Sequence, residues 1–207
     1  RGIRTVAVTA GYVTPQAAPE LFGNMDAANI DLKAFTERFY EKLCFAHLAP
    51  VLDTIAYVVN ETDCWVELTT LLIPGENDSD DEVAQLSQWC ADTLGPDVPL
   101  HFTAFHPDFK LMDREHTPVA TVRRARAIAR AHGLRYVYTG NVVDPEGSVT
   151  ECPGCSAPVI TRDRYRITGY ALTAMGCCEA CGAAIPGRWD ENGAGTWGNR
   201  RMPIAIG

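Results

Sequence analysis

Trp65-Val66-Glu67-Leu68-Thr69-Thr70-Leu71-Leu72-Ile73 runs straight into Pro74-Gly75, and Ser79-Asp80-Asp81-Glu82 then opens a second, differently patterned stretch. The first run is rich in β-branched and apolar residues and is stopped by a turn pair, which predicts a strand. The second has the form of a capping box, with Ser79 capping and Glu82 reaching back. Val83, Leu86, Trp89, Cys90 and Leu94 mark one apolar face of the helix that follows, and Gly95 supplies its stop. Leu100-His101-Phe102-Thr103-Ala104-Phe105 is β-rich again. Strand, helix and strand in that order make a βαβ unit, and the expected fold class is α/β with parallel strands.

The same alternation extends in both directions. Residues 5–9, ended by Gly11, and residues 27–31 predict two strands upstream, and residues 135–139 predict one downstream. Residues 34–43 and 50–59 are helix candidates. Thr117-Pro118 starts another helix, with Pro118 at its first position and Val119, Val122 and Ile128 on its buried face, and Gly133 ends it. Parallel sheets of this kind place their chemistry beyond the carboxyl ends of the strands. Polar residues fall at those ends in series: Thr9 and Tyr12, Asp31 and Lys33, Thr69 and Thr70, His106, and Asn141. Taken singly, Asp31 with Lys33 reads equally as a loop-capping pair, and His106 as a structural histidine. Glu67 and Thr69 share one face of their strand by its two-residue period. If that face points inward, they and Asn141 are candidates for a substrate pocket; if outward, Glu67 is solvated.

Composition bounds the partners. The 207 residues are 46% hydrophobic and 21% charged, which is ordinary for a globular protein. The formal charge of −8 disfavours a nucleic-acid binder, since phosphate contacts need a basic surface. The densest basic stretch, Arg123, Arg124, Arg126 and Arg130, reads as a solvated helix face. No run of about 18 apolar residues is present, so no membrane-spanning helix is expected. The opening Arg1-Gly2-Ile3-Arg4-Thr5 lacks Met and enters directly into a strand, from which a partial chain is expected.

From Asn141 onward the texture changes. Asp144-Pro145-Glu146-Gly147 reads as a linker, so the expected domains are residues 1–143, residues 144–189 and a loose tail over residues 190–207. Of the eight cysteines, Cys44, Cys64 and Cys90 sit singly in apolar segments and read as buried thiols. The others crowd the last third, a distribution suited to metal binding in a reducing, cytoplasmic compartment. Cys152-Pro153-Gly154-Cys155 and Cys178-Glu179-Ala180-Cys181-Gly182 are two Cys-x2-Cys knuckles. Two such turns complete a tetrahedral site of four thiolates. The β-like run at residues 159–167 would form the hairpin of a zinc ribbon. Zinc is the expected metal, with an iron centre or redox-active dithiols as alternatives. Cys177 is left spare, because the regular spacing pairs Cys178 with Cys181.

Read in order, these segments resemble a known family. Val8-Thr9-Ala10-Gly11-Tyr12, Asn29-Ile30-Asp31-Leu32-Lys33, residues 69–78 and Phe102-Thr103-Ala104-Phe105-His106-Pro107 are similar to radical S-adenosylmethionine (SAM) enzymes, in the group related to glycyl-radical-activating enzymes. More narrowly, residues 102–110, Tyr136-Val137-Tyr138-Thr139-Gly140-Asn141 and Cys152-Pro153-Gly154-Cys155 resemble the AmmeMemoRadiSam system radical SAM enzyme. The resemblance extends to about Trp189. It implies a partial (β/α) barrel in which S-adenosylmethionine lies across the strand ends and is cleaved reductively at a 4Fe–4S cluster. By the same resemblance Thr9, Gly11, Asp31, Lys33 and His106 border the cofactor. Ala10 stands where the group has Asn. AMMECR-type and Memo-type proteins are the implied partners, and the substrate is not named.

One feature of the family is missing. Its cluster is held by a Cys-x3-Cys-x2-Cys motif, and no trio here has that spacing. The expectation is therefore the carboxy-terminal part of such an enzyme, with the cluster ligands upstream and this chain inactive alone. The competing reading is a non-catalytic zinc-ribbon module that binds protein on an α/β scaffold.

Overall fold

The computed structural model describes residues 4–164 and 166–189; the tail expected over residues 190–207 lies outside them. The chain divides into two compact units, Arg1–Gly147 and Ser148–Gly207.

The first unit is built on five parallel strands in sequential order: β1 (Val6–Thr9), β2 (Ala27–Asp31), β3 (Trp65–Leu72), β4 (Leu100–Ala104) and β5 (Val137–Gly140). Sequential order with right-handed crossovers puts the connecting helices on one face of the sheet. Strict alternation in the strands matches this. Ile30, Leu68, Leu72, Leu100 and Phe102 are wholly buried against the helix face. Each such side chain contributes about 1.5–3 kcal/mol relative to exposure. Helix α3 (Leu48–Glu61) answers with Val51, Ile55 and Val58, α4 (Asp80–Trp89) with Val83 and Leu86, and α5 (Val119–Ala131) with Val122, Ala125 and Ala129. The residues between them, Asn29, Glu67, Thr69, His101, Thr103 and Tyr138, lie on the opposite face and are only half-buried.

Local expectations are altered where tertiary contacts compete. Ser79 caps α4 by accepting from the Glu82 N–H, but Glu82 does not reach back. Its carboxylate is buried and accepts instead from the Phe35 N–H at 2.7 Å. Pro118 is the N-cap of α5 rather than its first residue. The helix expected over residues 34–43 shrinks to α2 (Glu37–Phe39), which widens into a π-helical turn over Tyr40–Cys44. Helix α3 begins two residues before the expected Pro50, whose missing N–H falls in the first turn where none is needed. A short helix α1 (Ala18–Phe22) was not expected. Of the three single cysteines, Cys64 and Cys90 are buried, whereas Cys44 is part-exposed at a pocket wall. The basic helix face is paired rather than merely solvated: Arg123 to Asp144, Arg124 to Asp80, and Arg126 to the Val137 carbonyl.

The second unit holds a three-stranded antiparallel sheet, β6 (Thr150–Glu151), β7 (Pro158–Asp163) and β8 (Arg166–Tyr170). The β-like run expected over residues 159–167 thus takes in most of β7 and the start of β8. Beyond it, Leu172 bridges Cys178 and Cys177 bridges Ala184. Trp189 donates its indole N–H to the Ile185 carbonyl at 2.7 Å and packs against Gly176, where a Cβ would stand 1.9 Å from the ring.

Candidate functional site

The carboxyl ends of β1 to β3 surround a largely apolar pocket of about 410 Å³, into which Lys33, Tyr12, Tyr40 and Cys44 bring polar atoms. Lys33 pairs with Asp31 at 2.7 Å. The backbone carrying this pair is pinned on three sides. The Thr70 hydroxyl donates to the Leu32 carbonyl at 2.7 Å, the Asn77 amide donates to the Lys33 carbonyl at 2.7 Å, and the Lys33 N–H donates to the Tyr40 hydroxyl at 3.1 Å. Asn77, 2% exposed, also bonds the Ile73 N–H and the Leu71 carbonyl, so every arm of its amide is used. Burial raises the Tyr40 hydroxyl well above its ordinary range, so it stays protonated. Burial likewise raises the Cys44 thiol and keeps it neutral. Thr9 and Gly11 form the turn after β1. The Gly11 N–H donates to the Thr9 hydroxyl at 3.1 Å, and at φ +67° a Cβ on Gly11 would stand 2.7 Å from Ile30.

A second pocket of about 540 Å³ opens beyond β4 and β5, lined by His106, His116, Asn141 and Thr117, with Leu71 shared between the two. Thr117 fastens its wall, donating to the Leu72 carbonyl at 2.6 Å and accepting from the Phe105 N–H at 3.1 Å. Asn141 takes a left-handed backbone (φ 59°) and donates its amide to the Ala104 carbonyl at 3.1 Å. Of the polar strand ends, Tyr12 and Lys33 thus line the first pocket and His106 and Asn141 the second, whereas Thr9, Gly11, Asp31 and Thr70 line neither. Glu67 and Thr69 lie apart from both, on the sheet face opposite the helices. There Glu67 meets His101 at 2.8 Å and Thr69 donates to Asn29 at 2.9 Å.

Sequence reasoning overlooked Asn77, Tyr40, His116 and His101. Asn77 and Tyr40 act through backbone groups that no side-chain pattern reveals. His101 follows from the two-residue period of its strand, the same signal that singled out Glu67.

In the second unit the sulfur atoms of Cys152, Cys155, Cys178 and Cys181 lie within 4.8 Å of one another, and Cys177 is not among them. Cys152 to Cys181 is 3.5 Å and Cys155 to Cys178 is 3.8 Å. Tetrahedral zinc with metal–sulfur bonds of about 2.3 Å spaces its ligands about 3.8 Å apart. Burial opposes ionisation of Cys152, but the backbone N–H groups of Gly154 and Cys155 outweigh it and bring the thiol down to about 7. For Cys181 the Ala183 N–H favours the thiolate, yet hydrogen bonding to Cys152 and Cys155 carries it up to about 12. Four sulfurs this close ionise together only around a cation. The arrangement can hold a metal ion.

No protein-family model matches the chain. An uncharacterized protein of Methanocaldococcus jannaschii is 42% identical over 185 residues, which are 89% of this chain and 54% of that protein. The chain therefore spans about half the length of this curated relative. Among solved structures, a domain of pyruvate-formate lyase-activating enzyme from Bacteroides vulgatus superposes with a TM-score of 0.59 at 18% identity, covering 68% of this chain and 83% of that one. A radical SAM methyltransferase from Sphaerobacter thermophilus superposes with a TM-score of 0.51 at 17% identity, covering 65% of this chain and 39% of that one. At these identities the likeness is one of fold: over about two thirds of its length the chain has a radical SAM-like architecture.

Proposed function

We propose that this chain is the carboxy-terminal portion of a radical SAM enzyme of the AmmeMemoRadiSam type, acting on a substrate not yet identified. The observation that carries the reading is the ordered series of strand-end residues on a sheet whose fold is shared with radical SAM proteins. S-adenosylmethionine, if bound here beside a 4Fe–4S cluster supplied from elsewhere, would provide the radical chemistry of the reaction. The two adjoining pockets have the size and polarity for such a cofactor. Lys33 would pair with its carboxylate, and Asp31 would accept from its ammonium or ribose hydroxyls. His106 would stack or hydrogen-bond at the adenine edge. Thr9 would hold the β1 turn by accepting the Gly11 N–H, and Gly11 lets that turn approach Ile30 where a Cβ would clash.

The cluster does not fit the residues present. The eight cysteines contain no Cys-x3-Cys-x2-Cys set, and four of them converge on one site, so on this reading its ligands would come from outside these 207 residues. The four thiolates suit a single tetrahedral ion, which we assign as structural zinc. A four-iron cluster would spread them apart, each on its own iron. AMMECR-type and Memo-type partners and a cytoplasmic location belong to the same proposal.

Two measurements test it. Calorimetric titration of the full chain with S-adenosylmethionine should give saturable binding that Lys33→Ala and His106→Ala each weaken by about tenfold. Binding indifferent to both substitutions would remove the pocket assignment. Metal analysis should find one zinc per chain, lost in Cys152→Ser and in Cys178→Ser. Iron with a charge-transfer spectrum would make the knuckles a redox centre instead.

A further inference from the structure

We infer that Thr70, Tyr40 and Asn77 are positioning residues, which hold residues 32–35 as a strap that presents the Lys33 ammonium to a ligand carboxylate. This role deepens the cofactor reading and rests on it. Residues 32–35 follow β2 and belong to no helix or strand. A connecting stretch of that kind ordinarily gives its backbone groups to solvent. Here four buried side chains serve them instead: Thr70 from β3, Asn77 from the turn after it, Tyr40 from the π-helical turn and Glu82 from α4.

The bonds follow one another along the strap. Thr70 holds the Leu32 carbonyl at 2.7 Å, Tyr40 the Lys33 N–H at 3.1 Å, Asn77 the Lys33 carbonyl at 2.7 Å, and Glu82 the Phe35 N–H at 2.7 Å. Burying a polar side chain is costly unless it is bonded, so any shift of the strap would leave several buried groups unmet. Packing acts in the same sense. Leu32 and Ala34 are buried on either side of Lys33, while Lys33 itself lines the first pocket.

The ammonium is oriented as well. Asp31 takes one of its three hydrogens at 2.7 Å, which leaves donors for a ligand carboxylate. With the main chain fixed and the ammonium anchored, little loop or side-chain freedom is left to lose on binding. The bland alternative is a loop pinned for stability alone. It makes the same bonds, but its loss would weaken the protein whether or not Lys33 is present.

The test is calorimetric titration of the full chain with S-adenosylmethionine. Thr70→Val and Tyr40→Phe each delete one hydroxyl with little change of shape, and Asn77→Ala removes the amide. Each should weaken binding about three- to tenfold, and Thr70→Ser, which keeps the hydroxyl, should restore it. In a Lys33→Ala background the same substitutions should change affinity by less than about twofold. Unchanged binding in the folded variants, or equal losses with and without Lys33, would overturn the positioning role and leave the cofactor reading standing. No binding to the unsubstituted chain would remove both. Should the variants fail to fold, the free chain still decides. Its lysines are Lys33, Lys42 and Lys110, so ¹⁵N-lysine labelling isolates the Lys33 amide. That amide should be protected from solvent exchange; exchange at the rate of an unstructured chain would overturn the strap.

Discussion

Asp144 shows how much one residue can depend on distant chain. It lies in Asp144-Pro145-Glu146-Gly147, a stretch that reads as linker, yet it is 6% exposed. Arg123, on α5, donates to Oδ1 at 3.1 and 2.8 Å, and the Thr139 hydroxyl donates to Oδ2 at 2.9 Å. Burial alone would raise the Asp144 carboxyl, but the Arg123 and Thr139 hydrogen bonds outweigh it and hold it below the usual carboxylate range. A carboxyl depressed in the folded state contributes its stabilisation fully above the unfolded-chain value and loses it as pH falls through the folded value. Asp144→Asn should therefore cost about 1.5–3 kcal/mol near pH 7. Denaturant unfolding across pH should show the gap closing in acid. A gap of the same size at about pH 3 would mean that packing, not charge, holds this corner.

At the scale of elements, the amino end of α4 separates local rule from tertiary demand. Ser79 accepts from the Glu82 N–H at 3.3 Å, as its position predicts. The Glu82 carboxylate has left the cap to serve the Phe35 N–H, 47 residues away along the chain. Ser79→Ala should thus cost about 1 kcal/mol. A double-mutant cycle with Glu82→Gln should be additive to within about 0.5 kcal/mol. Coupling well above that would restore the reciprocal capping box. Beside α2, Tyr40 and Asn77 hold the Lys33 backbone at the point where the helix widens at Tyr40.

For the whole molecule, the two units should respond to metal separately. The parallel unit draws its stability from a continuous apolar core on one sheet face. The second unit is small, and on the proposed reading a structural metal would supply much of its folding free energy. Because the ligands bind as thiolates, metal release should ease as pH falls below neutrality. Removal of metal by a strong chelator should abolish amide-exchange protection in β6 to β8 and leave that of β1 to β5 unchanged. Loss of protection in both would show that they fold as one. Among the described residues no single helix is long and apolar enough to cross a membrane.

The strands, their parallel class and the four-cysteine site were legible in the sequence because each rests on short-range regularity. Residues two apart share a strand face, Gly and Pro mark the stops, and Cys-x2-Cys is a turn of fixed reach. The strand-end candidates were legible as a list of positions, not as a site. Only the tertiary structure decided that Lys33 and His106 belong to adjoining pockets, that Asn77 and Tyr40 hold the Lys33 loop, and that Glu67 faces His101. Those outcomes depend on sheet order and register, which bring together residues dozens of positions apart. Local pattern says which way a side chain points along its own strand; the neighbouring strand determines what it meets.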